Sequence, residues 1–197
     1  MKVLPFVAAT LPAATALYRV QRPAASASGY AVGPVRLPAA PGRRGRFDLT
    51  ARHVAAFALD AETAVYETLA RSTARAVSLS LLGARELLDV QTTVDIPVVD
   101  ARPHARAWPF VTAARYASTQ DEAEEADRVH HLFGVLYASA QRQGAQCVAL
   151  FDKPLGSAPS VLTTLTPGST ALLHSASGGL HRAVVAALIG SQLPLVP

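Results

Sequence analysis

Short apolar runs rich in β-branched residues recur along the chain, set apart by turn residues, and only three stretches between them carry a helical pattern. No other feature constrains the fold as much, because strand-like and helix-like segments so interleaved must share one core. His53 to Leu59, Val77 to Leu82, Gln91 to Val99, Val135 to Tyr137 and Gln146 to Phe151 read as strands. Glu86 to Asp89 is assigned to the turn before Gln91, and Gln141 to Gly144 to a polar turn. The first helix starts at Asp60, a candidate N-cap with Thr63 in its first turn, and meets no breaker until about Ala76. The second runs from Thr119 to Phe133, with Asp121, Glu122, Glu124 and Glu125 early, Arg128, His130 and His131 late, and Gly134 placed to end it. The third is the apolar stretch His181 to Leu193. Residues 21–45 and 153–170, rich in Pro, Gly, Ser, Ala or Thr, read as long loops. No repeat of solenoid period occurs. The expectation is one compact α+β (mixed α/β) domain spanning residues 1–197, with a helical C-terminal extension over about 180–197.

Composition agrees. Half of the 197 residues are hydrophobic and 16% charged, at a mean hydropathy of +0.25, which excludes a disordered chain. A chain this long buries roughly 70% of its unfolded surface in one domain. Cys147 is the single cysteine, so neither an internal disulfide nor a multi-cysteine metal site is available. Met1-Lys2 and the run Val3 to Leu17 have the outline of a secretory leader, but Pro5 and Pro12 break the run and it is too short to span a membrane. A cytoplasmic protein with no membrane partner is expected.

The net charge of +4 is unevenly placed. Lys2, Arg19, Arg22, Arg36, Arg43, Arg44 and Arg46 all precede the first acid, Asp48. Such a block attracts anions: nucleic acid, a phosphorylated small molecule or an acidic partner. Dinucleotide and phosphate-loop glycine motifs, H-E-x-x-H and G-x-S-x-G are all absent. The histidines at 53, 104, 130, 131, 174 and 181 show no i, i+4 ligand spacing, so no metal site is expected.

Four polar residues stand out beside apolar runs: Arg19 in Leu17-Tyr-Arg-Val20, Arg46 in Gly45-Arg-Phe47, Glu67 on an otherwise apolar helix face, and Ser139 at a strand end. Each alone has an ordinary structural explanation. In this order, with Phe57-Ala-Leu-Asp-Ala-Glu-Thr-Ala-Val-Tyr-Glu67, Gly134-Val-Leu-Tyr-Ala-Ser139-Ala and Cys147-Val-Ala-Leu-Phe-Asp152, the chain resembles the RES domain family over about residues 16–152. The family takes its name from its arginine, glutamate and serine, and its members are toxins of Xre–RES toxin–antitoxin pairs.

The resemblance implies a fold similar to ADP-ribosyltransferases and an activity that destroys NAD+, splitting the nicotinamide–ribose bond and passing ADP-ribose to water or phosphate. NAD+ is then substrate, and no cofactor is expected. The implied catalytic residues are Glu67, Arg19 and Ser139, and the implied substrate-binding residues are Arg46, Tyr30 and Phe57. Arginine forks suit a diphosphate, so Arg19 and Arg46 are assigned to it. Glu67 is assigned to the positive charge developing on ribose, Ser139 to the ribose or the nicotinamide amide, and Tyr30 and Phe57 to stacking. The chain departs from the family in Phe57, where tyrosine is usual, and in Asp48, where asparagine is common. An Xre-like antitoxin is the implied protein partner, and the apolar segment His181 to Pro197 leaves room for a homodimer. Two rival readings are a protein ADP-ribosyltransferase on the same fold and a non-enzymatic nucleic-acid-binding module. The basic block has few aromatics and no recognition helix, so direct nucleic-acid binding is not expected.

Overall fold

Leu17, Leu88, Val90, Val98, Val148 and Leu150 are each at most 1% exposed and alternate in sequence with residues buried on the opposite side of a sheet, among them Val20, Leu87, Val99, Cys147 and Ala149. Such strands are apolar on both faces, so both faces must be covered. In this computed structural model, which describes residues 7–23, 29–70, 74–104, 116–152 and 160–197, they are. The strands are β1 (Ala8–Leu11), β2 (Ala16–Gln21), β3 (Tyr30–Val32), β4 (Val35–Leu37), β5 (Val54–Ala58), β6 (Val77–Ser78), β7 (Glu86–Thr92), β8 (Ile96–Asp100), β9 (Gly134–Ala138), β10 (Gln146–Phe151), β11 (Leu165–Leu172) and β12 (Leu195–Val196). The helices are α1 (Ala61–Thr68), α2 (Leu79–Gly83), α3 (Ala117–Arg128) and α4 (Arg182–Ser191). Eight strands form one curled sheet in the order β1-β8-β9-β10-β5-β2-β7-β11, antiparallel except for β8 beside β9. Helices α1, α3 and α4 cover one face, and the β3–β4 hairpin and a 3-10 turn at Val161–Thr164 cover the other. The chain is a mixed α+β single domain.

Several local expectations hold. Asp60 caps α1, its carboxylate accepting from the Thr63 N–H at 2.9 Å and the Thr63 hydroxyl at 2.7 Å. Gln146–Phe151 is a strand, and His181 caps α4.

Others are corrected. Helix α1 ends at Thr68 rather than Ala76, because the Leu69 and Ala70 N–H groups both turn back to the Val65 carbonyl. Val77 to Leu82 is strand for two residues only: Ser78 then accepts from the Leu81 N–H at 3.1 Å and starts α2. Glu86 to Asp89 is not a turn but half of β7, where Glu86 accepts from the Gln21 amide at 2.9 Å on the neighbouring strand. The turn falls instead between Thr92 and Ile96. Helix α3 stops at Arg128, and Gly134 opens β9 instead of ending the helix. Residues 21–45 contain the β3–β4 hairpin, turned at Gly33 with φ 56°. Residues 165–170 begin an edge strand, β11, whose unpaired outer side tolerates Pro167 and Gly168.

The leader-like run Val3 to Leu17 supplies β1 and the start of β2, with Leu17 fully buried, while residues 1–6 lie outside the described residues. So do Lys2 and Lys153, residues 24–28 of the first loop, 71–73 of the longer first helix and 153–159 of the last loop. Among the described residues no helix is long and apolar enough to cross a membrane.

Candidate active site

The sheet is nearly split between two of its central strands. β2 pairs with β7 along its whole length, from Ala16 to Gln21, but with β5 only at Tyr18↔Ala58. Carbonyls near such a gap need partners from elsewhere. Arg19 supplies one: its Nη1 donates to the Ala56 carbonyl of β5 at 2.8 Å, and its Nη2 donates to the Arg36 carbonyl of β4 at 3.3 Å. Its Nε is buried without a partner among the described residues. Burial lowers the pKa of this guanidinium, and the charge of Asp48 and then Tyr137 opposes the shift.

A cleft of about 320 Å³ lies at the gap. Tyr18, Arg19, Arg44, Arg46, Glu67 and Tyr137 are among its lining, with Tyr116 and Cys147. Its cations come from the chain's basic first quarter and its Glu67 from the last turn of α1.

Glu67 is held by the end of β9. Ser139 Oγ donates to Glu67 Oε1 at 2.6 Å, and the Ala140 N–H donates to the same oxygen at 3.0 Å. Ser139 Oγ in turn accepts from the Gln141 and Arg142 N–H groups at 3.2 and 3.0 Å. One donor and two lone pairs are thereby occupied, the hydroxyl's full capacity. The Arg142 guanidinium ties the turn to the start of α1, donating to Asp60, Thr63 and Glu62, each at 3.0 Å.

Arg46 packs on two tyrosines, its guanidinium carbon 5.8 Å from the Tyr116 ring centroid and 6.0 Å from that of Tyr137. Its Nε and Nη1 are buried with no hydrogen-bond partner among the described residues. The loop carrying it is fastened to α3: Arg43 donates to Gln120 at 2.9 Å and pairs with Asp121, Gln120 donates to the Gly45 carbonyl at 2.7 Å, and the Thr119 hydroxyl donates to the Arg46 carbonyl. In the lining of the cleft, Tyr137 and Cys147 share a side-chain hydrogen bond. Burial pushes the thiol far up, and the nearby Glu67 charge adds to that.

The structure thus gathers Arg19, Arg46 and Glu67 around one cleft, with Ser139 directly behind Glu67. Phe57 is also in the lining of the cleft, but the residue is 2% exposed and belongs with Ala55 and Leu17 to the core of the opposite face, as strand alternation requires. Tyr30 is elsewhere: its ring stacks on His53 at 4.6 Å and its hydroxyl bonds Asp152, outside the lining of the cleft. Tyr137, Tyr116, Arg44 and Arg142 were not among the residues expected here. Tyr137 is on β9, two residues before Ser139, which follows directly on the strand's end, a spacing that alternation makes readable. Tyr116 is 70 residues from Arg46 in sequence, and no local pattern joins them. Among the described residues no three His, Cys, Asp or Glu side chains cluster as a metal site would require.

The family model for the RES domain matches residues 16–167. A chain in the crystal structure of the M. tuberculosis MbcT–MbcA toxin–antitoxin complex is similar in fold, with a TM-score of 0.58 and 17% sequence identity over 82% of this chain and 85% of that one. A search of curated proteins returned no match.

Proposed function

Because the chain belongs to the RES domain family, we propose that it is an NAD+-degrading enzyme that acts as the toxin of a toxin–antitoxin pair, restrained by an Xre-like antitoxin. The observation that carries the reading is the Glu67 carboxylate fixed by Ser139 and Ala140 at the wall of a cleft that Arg19 and Arg46 also line. The relative seen in a toxin–antitoxin complex supports the partner class.

The reaction breaks the bond between ribose C1′ and the nicotinamide ring nitrogen. The bonding electron pair leaves with the ring, which turns from cation to neutral amide, so no general acid is needed. C1′ gains oxocarbenium character, which a carboxylate held in place stabilises without reorganising. Water then adds its oxygen to C1′ and releases a proton, giving ADP-ribose, or phosphate adds its oxygen, giving the 1-phosphate. Glu67 is the residue assigned to the ribose. Arg46 offers unpaired N–H groups to the diphosphate, and Arg19, with two N–H groups already on backbone carbonyls, contributes chiefly positive potential.

The deciding experiment incubates the full chain with NAD+, with and without phosphate, and identifies the products. Wild-type protein is expected to release nicotinamide, with phosphate changing the product if it is the acceptor. Glu67→Gln is expected to slow consumption by about 10²–10³-fold and to abolish growth inhibition. Undiminished turnover in that variant would refute the mechanism, and ADP-ribose appearing on protein would identify a transferase instead.

A further inference from the structure

Arg44 is a further cation at the cleft, beside Arg19 and Arg46. Among the described residues its side chain makes no hydrogen bond or ion pair, and it is exposed at the cleft's edge. Arg43 is fastened to α3 and Arg19 donates to two backbone carbonyls, while Arg46 packs on two tyrosine rings and keeps Nε and Nη1 without a hydrogen-bond partner among the described residues. The backbone beneath Arg44 is fixed while its guanidinium is not. Asp48 Oδ2 accepts from the Arg44 N–H at 3.1 Å and from the Gly45 N–H at 2.6 Å, and the Arg44 N–H also reaches the Gly42 carbonyl at 2.9 Å. A Cβ on residue 45 would lie 2.9 Å from Asp48 Oδ1, so glycine lets the carboxylate come this close. Asp48, one of the two positions that depart from the family pattern, therefore holds the backbone from which Arg44 projects.

A dinucleotide carries two phosphate charges, and a cation pair two residues apart on a fixed loop can take one each. We propose that Arg44 is a substrate-binding residue that works with Arg46 on the diphosphate, in the place that sequence assigns to Arg19. The inference rests on the NAD+ reading above. Arg44 acts on binding and not on the bond that breaks, so its loss falls on KM.

The test compares wild type, Arg44→Ala and Arg44→Lys as full chains, measuring kcat and KM for NAD+ and the Kd of ADP-ribose by calorimetry. Arg44→Ala is expected to raise both KM and Kd about tenfold, with kcat within about twofold and thermal stability unchanged. Arg44→Lys is expected to recover part of the loss, since it keeps the charge and loses the fork. An unchanged KM and Kd in Arg44→Ala, or a loss confined to kcat, would overturn the proposal. Wild-type protein that binds ADP-ribose but leaves NAD+ intact defeats the catalytic reading alone, and the Kd of Arg44→Ala still decides the role of Arg44. Wild-type protein that binds neither defeats both.

Discussion

Ser139 and Glu67, 72 residues apart, share a hydrogen bond of 2.6 Å in which the serine hydroxyl donates to the carboxylate. The serine is 9% exposed and behind the glutamate, so it acts on the cleft through Glu67. Ser139→Ala leaves the carboxylate oxygen with the Ala140 N–H and removes the acceptor of two turn N–H groups. We expect kcat for NAD+ to fall about 10- to 100-fold with KM changed far less, and stability to fall by about 1–2 kcal/mol. Steady-state kinetics with a denaturant titration separates the two effects. A loss in KM alone would place Ser139 on substrate instead.

Arg142 joins the same turn to the N-terminus of α1 through Asp60, Thr63 and Glu62. Its side chain is 36% exposed, so solvent screening discounts each ion pair. Arg142→Ala is expected to cost about 1 kcal/mol and to lower kcat by loosening the turn that presents Ser139. In a double-mutant cycle with Glu62→Gln the effects should be non-additive, and simple additivity would show that the pair does not couple.

Gly134 begins β9 with a backbone pressed against its neighbour: a Cβ there would lie 2.3 Å from the Ala149 carbonyl oxygen. Gly134→Ala must push β9 and β10 apart, at a cost of about 1–3 kcal/mol. Gly144, at φ 78° with nothing within 4 Å of an added Cβ, carries only the backbone penalty, about 1–2 kcal/mol for alanine. Chemical denaturation of the two variants should also differ in activity, since only Gly134 is on the strand that delivers Ser139.

Glu122 on α3 has its carboxyl pushed up to about 7, by burial first and then by the Glu125 charge. Its folded pKa is above the unfolded value, so the native state holds the proton more tightly. The stabilisation is complete below the ordinary carboxylate range and disappears as pH rises through about 7. Glu122→Gln should flatten the fall of stability between about pH 4.5 and 7. Thermal melts across that range check it, and a wild-type slope retained in the variant would assign the titration to another group.

How much of this was legible follows from how far each signal reaches. Asp60 and Thr63 are three residues apart, and the cap they form was readable as such. The same range covers Gln146 to Phe151 as a strand and His181 at the head of α4. Ser78 carried a comparable cap signal, but the apolar run after it resembles a strand as much as a helix. The ordered motifs singled out Arg19, Arg46, Glu67 and Ser139 because residue type and spacing are linear properties. They carried no information on what each side chain touches.

The mixed α+β composition, the capped start of α1 and the family to which the polar residues belong are all readable along the chain, since caps, periodicity and motif order are written among near neighbours. Tertiary structure alone decided that β2 and β5 meet at one residue pair, that Arg19 serves the Ala56 carbonyl across that gap, and that Tyr116 covers Arg46. It also placed Ser139 behind Glu67 instead of in the cleft. The physical reason is that a polar side chain bonds whatever unpaired group the sheet order brings near it. That order joins residues 37 and 72 positions apart, across which no local preference extends.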